Sequence, residues 1–272
     1  MKYDLFISDY DGTLGGAPQN NVDSETAEAI KEYVRRGGKF VVCTGRMFGS
    51  IQRILKGAGL DGLVVAFQGA VIKDIATGEA LLEKGLTAEK GANIVRQFLD
   101  EPNLEVVAYI GDEIYYQNRG EYIKVYENML QHEGILVDDL AKEILRQGKC
   151  VSKVCALCGK QRAVELSEKY NSLYKGEHFL FNNGADYLVE AIAPEFDKGS
   201  AVRFLAKYFN VPFEKILAVG DSNNDISLVN GEWHGVCVGD GKDQLKKVAK
   251  EITVPFKEKP VLHLLNKYCL GD

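Results

Sequence analysis

The chain has 272 residues, 46% of them apolar and 26% charged, with a formal net charge of −6. That is enough apolar chain for one large domain or two modest ones, and the acidic balance offers no basic face for nucleic acid. No apolar run approaches membrane-spanning length, and Met1-Lys2-Tyr3-Asp4 leads into a strand without the pattern of a signal peptide, so the expectation is a soluble cytoplasmic protein.

The six cysteines are scattered, which argues for reduced thiols. Cys155 and Cys158 form a C-x-x-C but lack a second ligand pair for zinc, and their place in the apolar run Val151 to Leu157 suits small hydrophobes.

In chain order, Leu5-Phe6-Ile7 reads as a buried strand that delivers Asp9-Tyr10-Asp11-Gly12-Thr13 at its end. Residues two apart on an extended segment share a side, so Asp9 and Asp11 are expected to converge if the strand persists. Two converging carboxylates call for a cation or a shared proton. After a polar loop containing Pro18, Asp23-Ser24-Glu25 reads as a helix start, with Ala27, Ile30 and Val34 as the buried face and Gly37-Gly38 as the stop. Phe40 to Cys43 is a second strand ending in Thr44-Gly45-Arg46; a helix through Ile51, Ile54 and Leu55 follows, then a third strand, Leu63 to Phe67, ending in Gln68-Gly69. This alternation predicts a parallel sheet with right-handed crossovers.

The rhythm changes at Ala70, where Val71-Ile72 and Ala80 to Leu82 read as a hairpin. From Glu83 a new α/β segment begins: a helix with Ile94, Val95 and Phe98, strands at Val106 to Ile110 and Ile114 to Gln117, helices near Tyr122 to Leu130, Leu140 to Leu145 and Ala163 to Tyr170, and strands at Val151 to Leu157 and Phe179 to Phe181. Near Leu188 the first rhythm is expected to return. Pro194 precedes Asp197-Lys198-Gly199, which opens a helix carrying Ala201, Val202, Leu205 and Tyr208. Ile216 to Val219 then ends in Gly220-Asp221-Ser222-Asn223-Asn224-Asp225, and a helix from Ile226, a strand at Val236 to Val238 and a helix through Val261, Leu264 and Leu265 complete the sheet. The layout is one sheet domain, 1–82 with 188–272, interrupted by an inserted lobe, 83–187.

Four polar clusters thus fall at strand ends or helix starts of one sheet: Asp9/Asp11, Thr44/Arg46, Lys198, and Asp221/Asn224/Asp225. A lone aspartate after a strand is usually a turn former; four clusters on one edge are harder to explain that way. The carboxylates suit a hard cation, and Thr44, Lys198 and helix N-terminal amides suit a phosphoryl group.

In order and rough spacing these four motifs resemble those of the haloacid dehalogenase (HAD) superfamily, and the lobe between the second and third resembles that of its Cof-like sugar-phosphatase branch. The resemblance implies a Rossmann-like α/β core, its parallel sheet flanked by helices, with an inserted α/β cap that closes over the site and sets specificity. It implies an Mg²⁺-dependent phosphatase acting on a small phosphorylated metabolite, a sugar phosphate in that branch. Asp9 would be the nucleophile and form an aspartyl-phosphate, Asp11 the acid and then the base. Thr44, Gly45, Arg46, Lys198 and Asn224 would line the phosphate, with Lys198 also beside the nucleophile. Asp9, the backbone carbonyl of Asp11 and Asp221 would bind the metal, and Asp225 would complete or orient its shell.

Arg46 is left open between substrate, cap and a nearby acid, and His234 beside Trp233 is read as structural. Tyr109, Tyr115, Tyr116, Asn182 and Asn183 are candidates for specificity. A phosphomutase or phosphotransferase using the same nucleophile, or a catalytically dead metabolite-binding protein, remain the alternatives. Gln68-Gly69 stands where related chains often have asparagine-glycine.

Overall fold

The computed structural model describes residues 1–16, 19–130, 132–174, 180–185, 188–193 and 195–271, the span 180–185 by its backbone alone. Pro18, Phe179 and Pro194, and the side chains of Phe181, Asn182 and Asn183, lie outside the described residues.

The chain opens with β1 (Leu5–Ser8), α1 (Ser24–Arg35), β2 (Lys39–Cys43), α2 (Phe48–Gly57) and β3 (Leu63–Ala66), then a 3₁₀ turn, Phe67–Gly69, and the strands β4 (Val71–Asp74) and β5 (Ala80–Glu83). The inserted segment runs α3 (Ala88–Leu99), β6 (Glu105–Ile110), β7 (Glu113–Tyr116), α4 (Glu121–Leu130), β8 (Ile135–Leu136), α5 (Leu140–Gln147), β9 (Val151–Leu157), α6 (Lys160–Leu173), β10 (Leu180–Ala185) and β11 (Leu188–Ile192). The chain then continues with α7 (Lys198–Phe209), β12 (Ile216–Gly220), α8 (Ile226–Val229), β13 (His234–Cys237), α9 (Asp243–Lys246), β14 (Glu251–Ile252) and α10 (Pro260–Leu265).

Two compact units result, Met1–Leu82 with Asp197–Asp272, and Glu83–Phe196. The second boundary therefore lies at Asp197 and not at 188. The reason is pairing: β11 is hydrogen-bonded antiparallel to β9 and β10, so its apolar run belongs to the inserted unit's sheet.

In the first unit the strand order is β14-β13-β12-β1-β2-β3-β4-β5. From β14 to β3 every pairing is parallel, and β4 runs antiparallel to β3. The central strands β12, β1, β2 and β3 are short apolar runs buried on both faces, the signature of a parallel sheet. Alternate residues sort the faces: Leu5, Ile7, Val41, Cys43, Ile216 and Ala218 pack with Ala201, Val202 and Leu205 of α7, while Phe6 turns the other way, toward the rings of Tyr33 and Phe40. Asp9 continues the Leu5, Ile7 series, which directs it to the side where α7 begins.

Helix ends follow their local chemistry. Asp23 caps α1 by accepting from the Thr26 N–H at 3.1 Å, and Asp197 caps α7 in a reciprocal pair with Ser200, 2.6 and 3.0 Å. The buried face of α1 is Thr26, Ala27, Ile30 and Tyr33, whereas Val34 is 47% exposed. Tyr33 takes the inward position because its ring reaches Phe6 and its hydroxyl donates to the Tyr3 carbonyl. Tyr208 on α7 is likewise exposed.

The second unit has the order β10-β11-β9-β6-β7-β8. One face, with Val106, Ala108, Val154, Ala156 and Val189, packs on α3, α5 and α6 through Phe98, Ile144 and Leu166. Residues of alternate parity, Tyr109, Lys153 and Glu190, turn from that core; the Tyr109 hydroxyl bonds that of Tyr126 on α4 at 2.6 Å, and Lys153 pairs with Glu190 at 2.5 Å. Tyr109 and Tyr116 are buried, Tyr116 donating to Glu127, and Tyr115 packs against the helix-covered core, so all three tyrosines serve the interior of this unit. Cys155 and Cys158 are buried, and burial pushes their thiols up, that of Cys155 to about 12. Among the described residues no helix is long and apolar enough to cross a membrane.

His234 opens β13 and sits between the Tyr3 hydroxyl and, at 3.1 Å, the Glu251 carboxylate. Burial lowers its pKa below the usual 6.5, Lys2, Lys250 and Lys267 act in the same direction, and Glu251 opposes them. Above pH 6.5 folded and unfolded chains both hold a neutral ring; below it the unfolded chain takes the proton first, so stability falls until the folded ring's own pKa is passed. His234→Gln is therefore expected to lose less stability than the wild type between about pH 7.5 and 5.5, measured as the difference in urea midpoint across that range. Parallel slopes for the two proteins contradict this account.

Candidate active site

The site lies beyond the carboxyl ends of β1, β2, β3 and β12, the edge where parallel sheets bind ligands. β1 ends at Ser8, and the Asp9 N–H still bonds the Val219 carbonyl of β12 at 2.9 Å. The chain then turns: the Tyr10 carbonyl accepts from the N–H groups of Thr13, Leu14 and Gly15. Asp9 and Asp11 therefore do not converge, because the extended geometry that would have aligned them gives way to a turn at Tyr10.

Asp9 points inward and is 4% exposed. One of its oxygens, Oδ1, accepts from Lys198 Nζ at 2.6 Å, and the same ammonium donates to Asp225 Oδ1 at 2.5 Å. Lys198 is the first residue of α7 and wholly buried. Burial works to lower its pKa, but Asp225 and Asp9 together outweigh burial and hold it protonated above its ordinary range. The other oxygen of Asp225 accepts from the N–H groups of Asp221 and Ser222, both at 3.0 Å. With three donors already on it, Asp225 fixes the ammonium and the loop after β12.

Asp221 takes a hydroxyl hydrogen from Thr13 at 3.1 Å. Gly12 lies against it: with φ of +77°, it is where a Cβ would fall 2.7 Å from Asp221 Oδ2. Glycine is required there on both grounds, and its neighbour is the Asp221 carboxylate. Carboxylate oxygens of Asp9, Asp221 and Asp225 lie within 4.8 Å of one another. Burial, and after it the Asp225 charge, raises Asp221 to about 6 and lifts Asp9 well above the usual carboxylate range, with Lys198 opposing the rise. One ammonium thus sits among three acids, bonded to Asp9 and Asp225. An all-oxygen set of three carboxylates has the donor chemistry that suits a hard divalent cation. Among the described residues this is the cluster of acids, histidines and cysteines that could hold a metal ion.

Asp11 turns outward, half exposed, and is gripped by Arg46, Nε to Oδ2 at 2.8 Å and Nη2 to Oδ1 at 2.6 Å. The guanidinium also donates to Asn20 Oδ1 and stacks on the Tyr10 ring at 4.7 Å. Arg46 therefore binds a nearby acid, and that acid is Asp11. Its side chain is not left loose, as its expected role in moving protons suggests, nor does it join the three-acid cluster. Thr44 is buried, and its hydroxyl oxygen accepts from the Arg46 N–H at 3.2 Å, leaving the hydroxyl hydrogen to donate elsewhere. Asn224 sits between the Ser222 hydroxyl and Gln68.

Sequence reasoning gave no role to Thr13, Asn20 or Gln68. Thr13 was within reach, as the last residue of the first motif; Asn20 and Gln68 touch the site through backbone turns that have no sequence period.

A model of haloacid dehalogenase-like hydrolases matches residues 6–265. The chain is 26% identical to the phosphatase YwpJ of Bacillus subtilis, covering 96% of this chain and 98% of that one. It is 25% identical to the 5-amino-6-(5-phospho-D-ribitylamino)uracil phosphatase YitU of the same organism, covering 97% of each. Of solved structures, TM0651 from Thermotoga maritima matches with a TM-score of 0.86 at 23% identity, over 99% of this chain and 100% of that one. A haloacid dehalogenase-like hydrolase from Bacteroides thetaiotaomicron matches with 0.84 at 21%, over 98% and 99%. These likenesses establish the shared fold, and the family match across nearly the whole length establishes kinship: the chain belongs to the haloacid dehalogenase-like hydrolases.

Proposed function

We propose that this hydrolase is an Mg²⁺-dependent phosphatase that cleaves a small phosphorylated metabolite, a sugar or polyol phosphate, through an aspartyl-phosphate on Asp9. The observation that carries the reading is the buried Asp9 carboxylate held by Lys198 beside Asp221, a nucleophile and a cation site built from one set of side chains. The relative YitU, named for a phosphoribitylamino-uracil, acts on a phosphate carried by a hydroxylated carbon chain, which is compatible with this substrate class. Choice among substrates is assigned to the inserted unit, Glu83–Phe196.

Lys198 fixes one oxygen of Asp9, and the other attacks phosphorus, forming the new P–O bond as the alcohol leaves. An alkoxide is a poor leaving group unless protonated, so Asp11, having taken a proton from solvent as its pair with Arg46 opens, delivers that proton to the leaving oxygen. Asp11 then takes a proton from the water that cleaves the acyl phosphate, which releases inorganic phosphate and restores Asp9. Thr44 donates its hydroxyl hydrogen to a phosphoryl oxygen, and the Lys198 ammonium offsets charge that builds on the transferring group. Mg²⁺, when bound by Asp9, Asp221 and the Asp11 carbonyl, supplies further positive charge to the phosphoryl oxygens.

Three outcomes are expected. Mg²⁺ at about one hundred times its dissociation constant stabilises the wild type by about 2.7 kcal/mol, seen as a higher thermal midpoint, and Asp221→Asn abolishes that rise; a wild type indifferent to Mg²⁺ contradicts the metal assignment. Asp9→Asn keeps the fold while phosphate release drops at least about 10³-fold, the scale of removing a nucleophile. In ¹⁸O-labelled water the wild type places solvent oxygen in the released phosphate, whereas isomer formation without label points to a mutase.

A further inference from the structure

The turn after β3 adopts a backbone that packing alone does not call for. Phe67, Gln68 and Gly69 have φ of +50°, +59° and +114° in succession. Glycine accepts such angles readily, but for residues with a side chain the left-handed region is unfavourable, and such strain gathers where function holds it in place.

The turn's contacts run to the site's loops. The N–H groups of Phe67 and Gln68 donate to the carbonyls of Arg46 and Thr44 at 3.1 and 3.0 Å. The Gln68 carboxamide accepts from Asn224 Nδ2 at 3.4 Å and lies so close over Gly45 that a Cβ there would fall 2.4 Å from Nε2. Gly69 approaches the start of α7, where a Cβ would fall 2.2 Å from the Asp197 carbonyl oxygen, one residue before Lys198. Three residues thus touch the loops that present Thr44, Asn224 and Lys198.

We propose that Gln68 is a positioning residue of the active site. Its carboxamide, projected by the strained turn, sets the distance between the Thr44-Gly45-Arg46 loop and the Asn224 loop, and so the width of the space in which a phosphoryl group is held. Gly45 is glycine because the carboxamide occupies the place of its side chain. This assignment rests on the phosphatase reading above and adds to it a residue that touches neither phosphorus nor metal.

The test is a double-mutant cycle on Gln68→Gly and Gly45→Ala, with Gln68→Asn as the conservative variant. Each protein is assayed for phosphate release from p-nitrophenyl phosphate with Mg²⁺ and for its thermal midpoint. Gln68→Gly is expected to keep or raise the midpoint, since glycine accepts φ of +59°, while kcat/KM falls about tenfold or more, mainly through KM. Gln68→Asn, which tolerates the left-handed region and keeps a carboxamide, recovers part of the loss. Gly45→Ala lowers kcat/KM by displacing the amide, and the double variant is no worse than Gln68→Gly alone, because the added methyl then has room. Wild-type kcat/KM in Gln68→Gly, losses that multiply in the double variant, or a fall in midpoint that tracks the fall in activity each overturn the assignment to Gln68. A wild type that releases no phosphate from any ester overturns the phosphatase reading and this role with it, so the two failures are distinct.

Discussion

Everything at the catalytic edge depends on one buried ammonium. Lys198 Nζ has no exposed surface and sits between Asp9 and Asp225 at 2.6 and 2.5 Å. A charged amine in a protein interior is tolerated only when paired, and stripping one partner from such a pair costs about 3–5 kcal/mol. The three residues come from the end of β1, the start of α7 and the loop after β12, so satisfying that one charge requires all three elements to meet. The strand order supplies the meeting: β1 pairs with β12 in register, Ser8 opposite Val219, and α7 lies across the face to which Leu5 and Ile7 point. Fold and site are thus one constraint seen at two scales.

The same triad explains why Asp221 differs from Asp225 although four residues separate them. Asp225 is saturated by the ammonium and two backbone N–H groups, whereas Asp221 has the Thr13 hydroxyl and a carboxyl raised to about 6 by burial and by Asp225. One acid is the brace; the other is the carboxyl that the proposed reading gives to the cation. Glycine at position 12 belongs to that arrangement, since any side chain there strikes the Asp221 carboxylate.

The central strands were legible because strands buried on both faces read as unbroken apolar runs, as in Ile216 to Val219. The same property hid the true boundary of the inserted unit. Leu188–Ile192 is also an apolar run, and nothing in its composition tells which sheet it joins; pairing with β9 does. Spacing likewise placed a buried face on α1 but could not choose between Tyr33 and Val34, neighbours whose order inward depends on the Phe6 ring below them. The four clusters were legible as polar residues at strand ends. Their bonding was not, because it depends on where β1 stops and on turns such as Phe67–Gly69, whose left-handed residues include a phenylalanine and a glutamine that no turn rule singles out.

Asp9 and Asp11 began as a symmetric pair and end with opposite environments. Asp9 is buried and bonded by a buried lysine; Asp11 is half exposed and bonded by an arginine stacked on Tyr10. A buried pair in a low-dielectric setting keeps its geometry, which suits the attack on phosphorus proposed for Asp9. The Asp11 pair lies nearer solvent, with the carboxylate half exposed, and in the reaction proposed for this site Asp11 is the carboxyl of the two that changes partners. The turn at Gly12 therefore does more than reverse the chain. By turning the chain after Asp9 it separates a buried acid from a half-exposed one, and the reaction proposed for this site needs one of each.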